Sequence, residues 1–189
     1  QPLPVEQVPA DHALGRYLAA PLQAHRTQPA ADLSAMDGYA VRGEEAGPWQ
    51  VVGESAAGHP FAGVVNTGEA VRISTGALMP AGADAVLLQE NATRDGDRLA
   101  LNGEGEPTPR HIRRTGFDFT ADETILAPGT HIGPAQLALA LAAGNATLSV
   151  RRKPELAIID SGDELSADVA HCAPHQIPAS NGAMLAALA

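Results

Sequence analysis

The stretch from about Ala24 to Ala121 consists of short runs of alternating apolar and polar residues, each interrupted by Gly or Pro. Side chains of a strand repeat every two residues, whereas an amphipathic helix repeats about every 3.6 residues. The pattern therefore predicts a β-rich domain. The strand candidates are WQVVGES, AVRIST, DAVLLQENAT and DRLAL. Between the last two, the pair Asp95-Gly96 predicts a two-residue hairpin turn.

Helical patterns flank this β-rich stretch. On the N-terminal side, ADHALGRYLAAPL has apolar residues at helical spacing and predicts one short helix that ends at Pro21. On the C-terminal side, GPAQLALALAAGN predicts a helix with Pro134 near its first turn and Gly144 just past its end. A third helix, in ASNGAMLAALA, is expected to be capped by Ser180 or Asn181.

The segment after Pro154 reads as the beginning of an α/β unit. The apolar run from Leu156 to Ile159 predicts a central strand of a parallel sheet. The polar loop SGDEL follows it, at the end of the strand where open α/β sheets bind ligands. The whole order predicts an α+β chain of at least two domains, the second of them cut short. Since the chain begins without Met and stops inside a helical pattern, it is expected to be a fragment.

Charge and cysteine content exclude several classes of function. The formal net charge of -10 argues against non-specific binding to nucleic acid and to anionic membrane surfaces. No apolar run approaches the roughly 20 residues that span a bilayer. Cys172 is the single cysteine, so no disulfide can form within the chain. A reducing compartment, the cytoplasm, is therefore the expected location.

An acid stands in the polar stretch SAMDGYA. Asp37 could hold a metal ion or a polar ligand, because Gly38 is expected to give the backbone a turn conformation closed to other residues. Alternatively, the pair is an ordinary Asp-Gly turn with Tyr39 packed beneath it. The residues alone leave both interpretations open.

Two further stretches could bind anions. In VRISTGALMP, the sequence Ser74-Thr75-Gly76 offers hydroxyls and amides to an oxyanion, or it is an ordinary loop. In PRHIRRTGFD, guanidinium groups match phosphate geometry, although a solvated surface cluster is an equal alternative. The basic residues of this second stretch are Arg110, His111, Arg113 and Arg114.

Five segments, in order, resemble the motifs of the MoeA family, the molybdopterin molybdenumtransferases, which includes the E domain of gephyrin. They are SAMDGYAV, RISTGALMPAGADAVLLQE, IRRTGFD, APGTHIGPAQLALALAAG and SGDEL, and the resemblance runs from about Leu3 to Leu165. It implies an enzyme of molybdenum cofactor biosynthesis that inserts molybdate into adenylylated molybdopterin and releases AMP, with magnesium (Mg²⁺) as the helper ion. It also implies a homodimer, with other proteins of the same biosynthesis as possible partners.

The resemblance also implies a division into domains. A helical linker domain would comprise residues 1–23 and 123–153, with a β-rich domain of residues 24–122 inserted in it. Residues 154–189 would be the truncated start of an α/β molybdopterin-binding domain, and the family's C-terminal β-barrel would be absent. The chain by itself is therefore expected to be inactive.

Site residues follow from the family motifs. The catalytic positions would be Asp37, Thr75 and Glu164, of which Asp37 and Glu164 would also bind the metal ion. The substrate-binding positions would be Ser74, Arg113 and Asp118. In the family, the site forms where the β-rich and α/β domains meet across the dimer. One departure is Phe117, which stands where an acid is common.

Two other functions remain as alternatives. The chain could belong to a non-catalytic dimeric scaffold, a role that the gephyrin E domain also serves. It could instead be a small β-rich module that binds anions through Arg110 to Arg114 without catalysis.

Overall fold

The computed structural model describes residues 2–43 and 46–188, so Gln1 and Ala189, the outer limits of the predicted domains, lie outside it. The described chain is mostly β-structure with two α-helices. The strands are β1 (Val5–Pro9), β2 (Leu22–Gln23), β3 (Leu33–Ser34), β4 (Gly38–Val41), β5 (Trp49–Ser55), β6 (Glu69–Ile73), β7 (Ala85–Leu88), β8 (Ala92–Asp95), β9 (Arg98–Leu101), β10 (Ile112–Arg113), β11 (Thr124–Leu126), β12 (Thr147–Arg151), β13 (Leu165–Ser166) and β14 (Ile177–Pro178). The helices are α1 (Pro134–Ala142) and α2 (Asn181–Leu188).

Two compact units divide the chain. Val5–Val150 form the larger unit, and the remaining described residues form the smaller one. The finer division into linker, β-rich and α/β domains stays a prediction.

A six-stranded sheet dominates the larger unit, with strand order β7-β4-β6-β5-β9-β8. All neighbours in it are antiparallel except β5 and β6. Along β5, Trp49, Val51 and Ser55 are buried while Gln50 and Val52 are exposed. This alternation is what the sequence predicts for a strand with one face on the core. The apolar side chains on that face pack in a cluster that includes Trp49, Val51, Leu87 and Leu99.

The predicted hairpin exists, but its turn lies one residue further on. Asp95 pairs with Arg98 across β8 and β9, so the two loop residues are Gly96 and Asp97. Gly96 has φ +57°, a backbone conformation that glycine adopts at little cost. The long strand candidate DAVLLQENAT is likewise interrupted, because a 3-10 turn at Gln89–Asn91 separates β7 from β8.

The helix predicted over ADHALGRYLAAPL is wrong. Only a 3-10 turn forms there, at Ala10–His12, and Gly15 then takes φ +76°. The backbone beyond it bonds to distant segments, since Leu18 N donates to Thr130 O and Ala19 N donates to Ser149 O, each at 2.9 Å. Tertiary hydrogen bonding thus outweighs the local helical pattern.

Helix α1 confirms the second helix prediction. Pro134 occupies its first turn, and Gly144 follows the cap residue with φ +87°. Its buried Ala140 packs in a cluster that includes Leu18 and Val150. This second core is distinct from the cluster on the six-stranded sheet.

In the smaller unit, the strand predicted from Leu156 to Ile159 is wrong. The run has no regular structure, and Leu156 and Ile159 are 63% and 85% exposed. A parallel strand needs hydrogen-bonded neighbours, and the described residues supply none for this run. The predicted final helix is confirmed as α2, where the Asp160 carboxylate accepts a hydrogen bond from Gly182 N at 2.8 Å.

Gly38 serves a different purpose from the one predicted. It does not have a positive φ; it is the buried first residue of β4. A Cβ atom at this position would lie 2.0 Å from the Leu87 carbonyl oxygen. Glycine is therefore required because two backbones approach closely here.

We expect Gly38→Ala to destabilise the larger unit by about 1 to 3 kcal/mol or more, since the backbone of β7 must shift to admit a methyl group. Gly133→Ala is the control, because its Cβ would meet only the flexible end of Gln136. Urea unfolding of both variants measures the difference. Equal stabilities would show that the close approach at Leu87 imposes no cost.

Candidate functional site

Strand pairing brings Asp37 beside Thr75. Gly38, at the start of β4, pairs with Ile73, at the end of β6. The residue before Gly38 therefore lies beside the loop that follows Ile73. We call Ser74–Ala77 the ST loop.

The two carboxylate oxygens of Asp37 have different environments. Oδ1 accepts hydrogen bonds from Thr75 N at 2.7 Å and from Thr75 Oγ1 at 3.1 Å. Oδ2 accepts no hydrogen bond from the described residues, and the side chain is exposed. One oxygen thus fixes the orientation of the carboxylate while the other is available to a ligand.

Asp37 is held in its ionised form. The Thr75 amide, and after it the Thr75 hydroxyl, lower the pKa of the Asp37 carboxyl; slight burial opposes them, and the charge of Arg72 adds a further lowering. Arg72 is itself fixed, because it donates to Gly38 O and to Gln89 Oε1, each at 2.7 Å. At neutral pH the site therefore presents an oriented negative oxygen.

The ST loop does not offer its amides to an anion. Every amide in it donates to a protein acceptor. The bonds are Ser74 N to Ser55 O at 3.2 Å, Thr75 N to Asp37 Oδ1 at 2.7 Å, Gly76 N to Ser34 O at 2.8 Å and Ala77 N to Ser74 O at 3.0 Å. Of the two interpretations of this stretch, the amides therefore support an ordinary loop. The half-buried Ser74 hydroxyl has no hydrogen-bond partner among the described residues and remains a candidate donor.

Two arginines of the basic stretch, Arg113 and Arg114, are paired with carboxylates. We call Arg113–Asp118 the RD loop. Arg113 Nη2 forms an ion pair with Asp118, and its guanidinium carbon lies 5.6 Å from the centre of the Phe117 ring. Arg114 Nη1 lies 2.6 Å from Asp32 Oδ2. Each guanidinium uses one nitrogen in its pair, so its other N–H groups can still donate to a phosphate.

Asp32 is the site residue that sequence reasoning missed. Its Oδ1 accepts from Thr115 N at 2.8 Å and from Thr115 Oγ1 at 3.1 Å, the same arrangement that Asp37 makes with Thr75. Each threonine precedes a glycine of positive φ, Gly76 at +81° and Gly116 at +74°. The same Thr-Gly pair also occurs at Thr67-Gly68, where Gly68 has φ +79°, so the pair by itself does not single out Asp32.

The pKa of the Asp32 carboxyl is also lowered. The Thr115 amide is the largest cause, partial burial opposes it, and the Arg114 and Thr115 side chains lower it further. Asp32 and Asp37 stand at the two ends of one six-residue stretch, Asp32–Asp37, which we call the tie peptide. Within it, β3 pairs with β10, with Ser34 opposite Ile112.

Glu164 lies in the smaller unit and is exposed. Its carboxylate folds over Gly162, and its carbonyl accepts from Ile177 N at 2.8 Å. The structure thus brings Thr75 and Asp37 into contact, with Ser74 adjacent to Thr75 in the chain, and it pairs Arg113 with Asp118. The metal-binding role of Glu164 stays a prediction.

The described residues contain no cluster of three His, Cys, Asp or Glu side chains that could hold a metal ion. The free oxygen of the Asp37 carboxylate is of the type that hard cations such as Mg²⁺ bind in proteins. In the same part of the chain, no helix has the length and apolar character needed to cross a membrane.

Because both aspartates have lowered pKa values when folded, their contribution to stability is present at neutral pH and is lost as the pH falls below about 4. We expect the free energy of unfolding to fall more steeply with acidification in the parent than in the double variant Asp32→Asn, Asp37→Asn. Urea unfolding between pH 6 and pH 3 measures the slopes. The control is Asp95→Asn, in the β8–β9 hairpin, and parallel curves for parent and double variant would contradict the expectation.

Comparison with known proteins gives a consistent result. Residues 1–144 match the family model described as the MoeA N-terminal region, domains I and II. Among curated proteins, the molybdopterin molybdenumtransferase of Nostoc sp. is 35% identical over 184 residues, which cover 93% of this chain and 42% of the relative. The molybdopterin molybdenumtransferase 2 of Mycobacterium tuberculosis is 37% identical over 188 residues, with 95% and 46% covered.

Solved structures agree with the sequence comparison. A crystal structure of the molybdopterin biosynthesis MoeA protein of Pyrococcus horikoshii aligns with a TM-score of 0.85 at 32% identity. That alignment covers 98% of this chain and 51% of the other. The chain spans less than half the length of the two curated relatives.

Proposed function

The chain belongs to the MoeA family, and we propose that it supplies the N-terminal part of a molybdopterin molybdenumtransferase of molybdenum cofactor biosynthesis. The reaction would take adenylylated molybdopterin and molybdate and release AMP. The observation that carries the proposal is the Asp37 carboxylate, fixed by Thr75 through one oxygen and open to a ligand through the other. Asp37 is the acidic residue of the SAMDGYA motif.

Asp37 would act as a ligand and not as a nucleophile. Opening the phosphoanhydride of the adenylylated substrate builds negative charge on phosphate oxygens, and bound magnesium would offset that charge. Asp37 Oδ2 is the proposed ligand to that ion, and Glu164 is proposed separately, from its family motif, as a residue that binds metal. Thr75 keeps the carboxylate ionised and oriented, so little reorganisation is needed when substrate arrives.

The RD loop would bind the substrate phosphates. Guanidinium groups donate bidentate hydrogen bonds to phosphate, and Arg113 and Arg114 are exposed enough to do so. Asp118 limits the orientations of Arg113 through its ion pair. The Ser74 hydroxyl is the proposed additional donor beside Asp37.

We further propose that the full-length protein is a cytoplasmic homodimer, on the strength of the family resemblance and the single cysteine. Of the alternatives, a simple anion-binding module is less well supported, because it gives no role to the oriented carboxylate of Asp37. A scaffold without catalysis would not need the oriented carboxylate of Asp37.

The test is an insertion assay with full-length protein that contains this sequence. The protein is mixed with adenylylated molybdopterin, magnesium and molybdate, and AMP is measured by chromatography. We expect AMP release that depends on molybdate and on the protein. Release no faster than in a protein-free control would contradict the proposed function.

A further inference from the structure

The tie peptide joins two distant loops in the same way at both ends. Asp37 holds the amide and hydroxyl of Thr75, 38 residues along the chain, and Asp32 holds those of Thr115, 83 residues along. Among the described residues, the other carboxylates that accept from both the amide and the side chain of one residue do so over three residues. Glu69, for example, accepts from the amide and side chain of Asn66, only three residues away.

The two aspartates of the tie peptide differ in whether a carboxylate oxygen remains free of hydrogen bonds. Asp37 is exposed and keeps Oδ2 free of hydrogen bonds with the described residues. Asp32 is half-buried, and both of its oxygens are engaged, Oδ1 by Thr115 and Oδ2 by Arg114. Both oxygens of Asp32 are therefore engaged within the protein, and its contacts point to a supporting role.

The contacts of Asp32 act on the RD loop at its centre. They fix the backbone at Thr115 and the side chain of Arg114 together. The neighbouring backbone is held separately, since Gly116 N donates to Pro29 O and Asp118 N donates to Gln28 O, each at 3.0 Å. Loss of Asp32 should thus loosen the middle of the loop while its C-terminal half stays attached.

We propose that Asp32 is a positioning residue that holds the RD loop so that its guanidinium groups are presented to the phosphates of the substrate. One short stretch of backbone, the tie peptide, would then position both the RD loop and the carboxylate of Asp37. The inference rests on the proposed function. Asp32 would act on substrate affinity, whereas Asp37 acts on the chemical step.

The test compares full-length parent, Asp32→Ala and the control Glu69→Gln in the insertion assay. We expect Asp32→Ala to raise KM for adenylylated molybdopterin by about tenfold, which corresponds to one charge-assisted hydrogen bond at the low end of its range. Its kcat should stay within about threefold of the parent, because the variant removes ground-state binding. If Asp32→Ala does not fold, Asp32→Asn carries the same test, since it keeps the shape but replaces the charged acceptor oxygen that faces Arg114 with an amide NH2 group.

Amide hydrogen exchange gives a readout independent of activity. In the Asp32 variant the amide of Thr115 should exchange faster, while that of Thr75 stays as in the parent. An unchanged KM, or a fall in kcat alone, would overturn the positioning role even if the parent is active. A parent that releases no AMP would overturn the proposed function and the inference with it, so the two failures are distinct.

Discussion

Replacing Asp37 with Asn is expected to lower the rate of cofactor formation about a hundredfold at fixed magnesium, while the fold remains intact. Asn has the same shape and can still accept the hydrogen bonds of Thr75. Asn lacks the negative charge that a hard cation requires. The substitution should therefore weaken metal binding while it keeps the geometry of the side chain. The measurement is AMP release by the full-length variant under saturating pterin substrate.

The matched control is Asp95→Asn, the same chemical change at an exposed position in the β8–β9 hairpin. It should retain the parent rate. Circular dichroism and gel filtration should give the same result for all three proteins. A parent-like rate for Asp37→Asn would remove Asp37 from the active site.

The double replacement Arg113→Ala, Arg114→Ala should weaken binding of the adenylylated pterin by about a hundredfold. A charge-assisted hydrogen bond contributes roughly 1.5 to 3 kcal/mol, so two such contacts at the low end give about 3 kcal/mol. The variant also leaves Asp118 and Asp32 without their ion-pair partners, and these carboxylates would repel phosphate. A calorimetric titration of the full-length protein with the pterin substrate measures the loss.

Its control removes the same charge elsewhere. Arg94→Ala, Arg98→Ala changes two exposed arginines of the β8–β9 hairpin. Because electrostatic attraction to the whole protein falls equally in both variants, any difference between them reports direct contact. Equal affinities for the two double variants would show that the RD loop is not a phosphate site.

Secondary-structure predictions are confirmed where the local residue pattern and the tertiary contacts favour the same structure. Strand β5 shows the predicted alternation, and α1 has Pro and Gly at the positions where helices begin and end. The helix expected around Leu18 fails because its backbone pairs with residues more than a hundred positions away. The strand prediction for Leu156 to Ile159 is wrong because a strand forms only beside hydrogen-bonded partner strands. The sequence of this run does not specify such partners.

The site was predictable in part. The two motifs that contain Asp37 and Thr75 could each be found in the sequence, but the direct contact of these residues depends on the antiparallel register of β4 and β6. Asp32 was missed because its partner, Thr115, is 83 residues away and no local pattern connects them. The role of Gly38 was wrong for a similar reason, since the Leu87 carbonyl that excludes a side chain belongs to another strand.

The magnesium dependence of AMP release tests the assignment of Asp37 most directly. Full-length parent, Asp37→Asn and Asp95→Asn are titrated with magnesium at saturating pterin and molybdate. If the free oxygen of Asp37 binds the ion, the half-saturating magnesium concentration should rise at least about tenfold in Asp37→Asn and stay at the parent value in Asp95→Asn. The same half-saturating concentration in all three proteins would contradict the assignment.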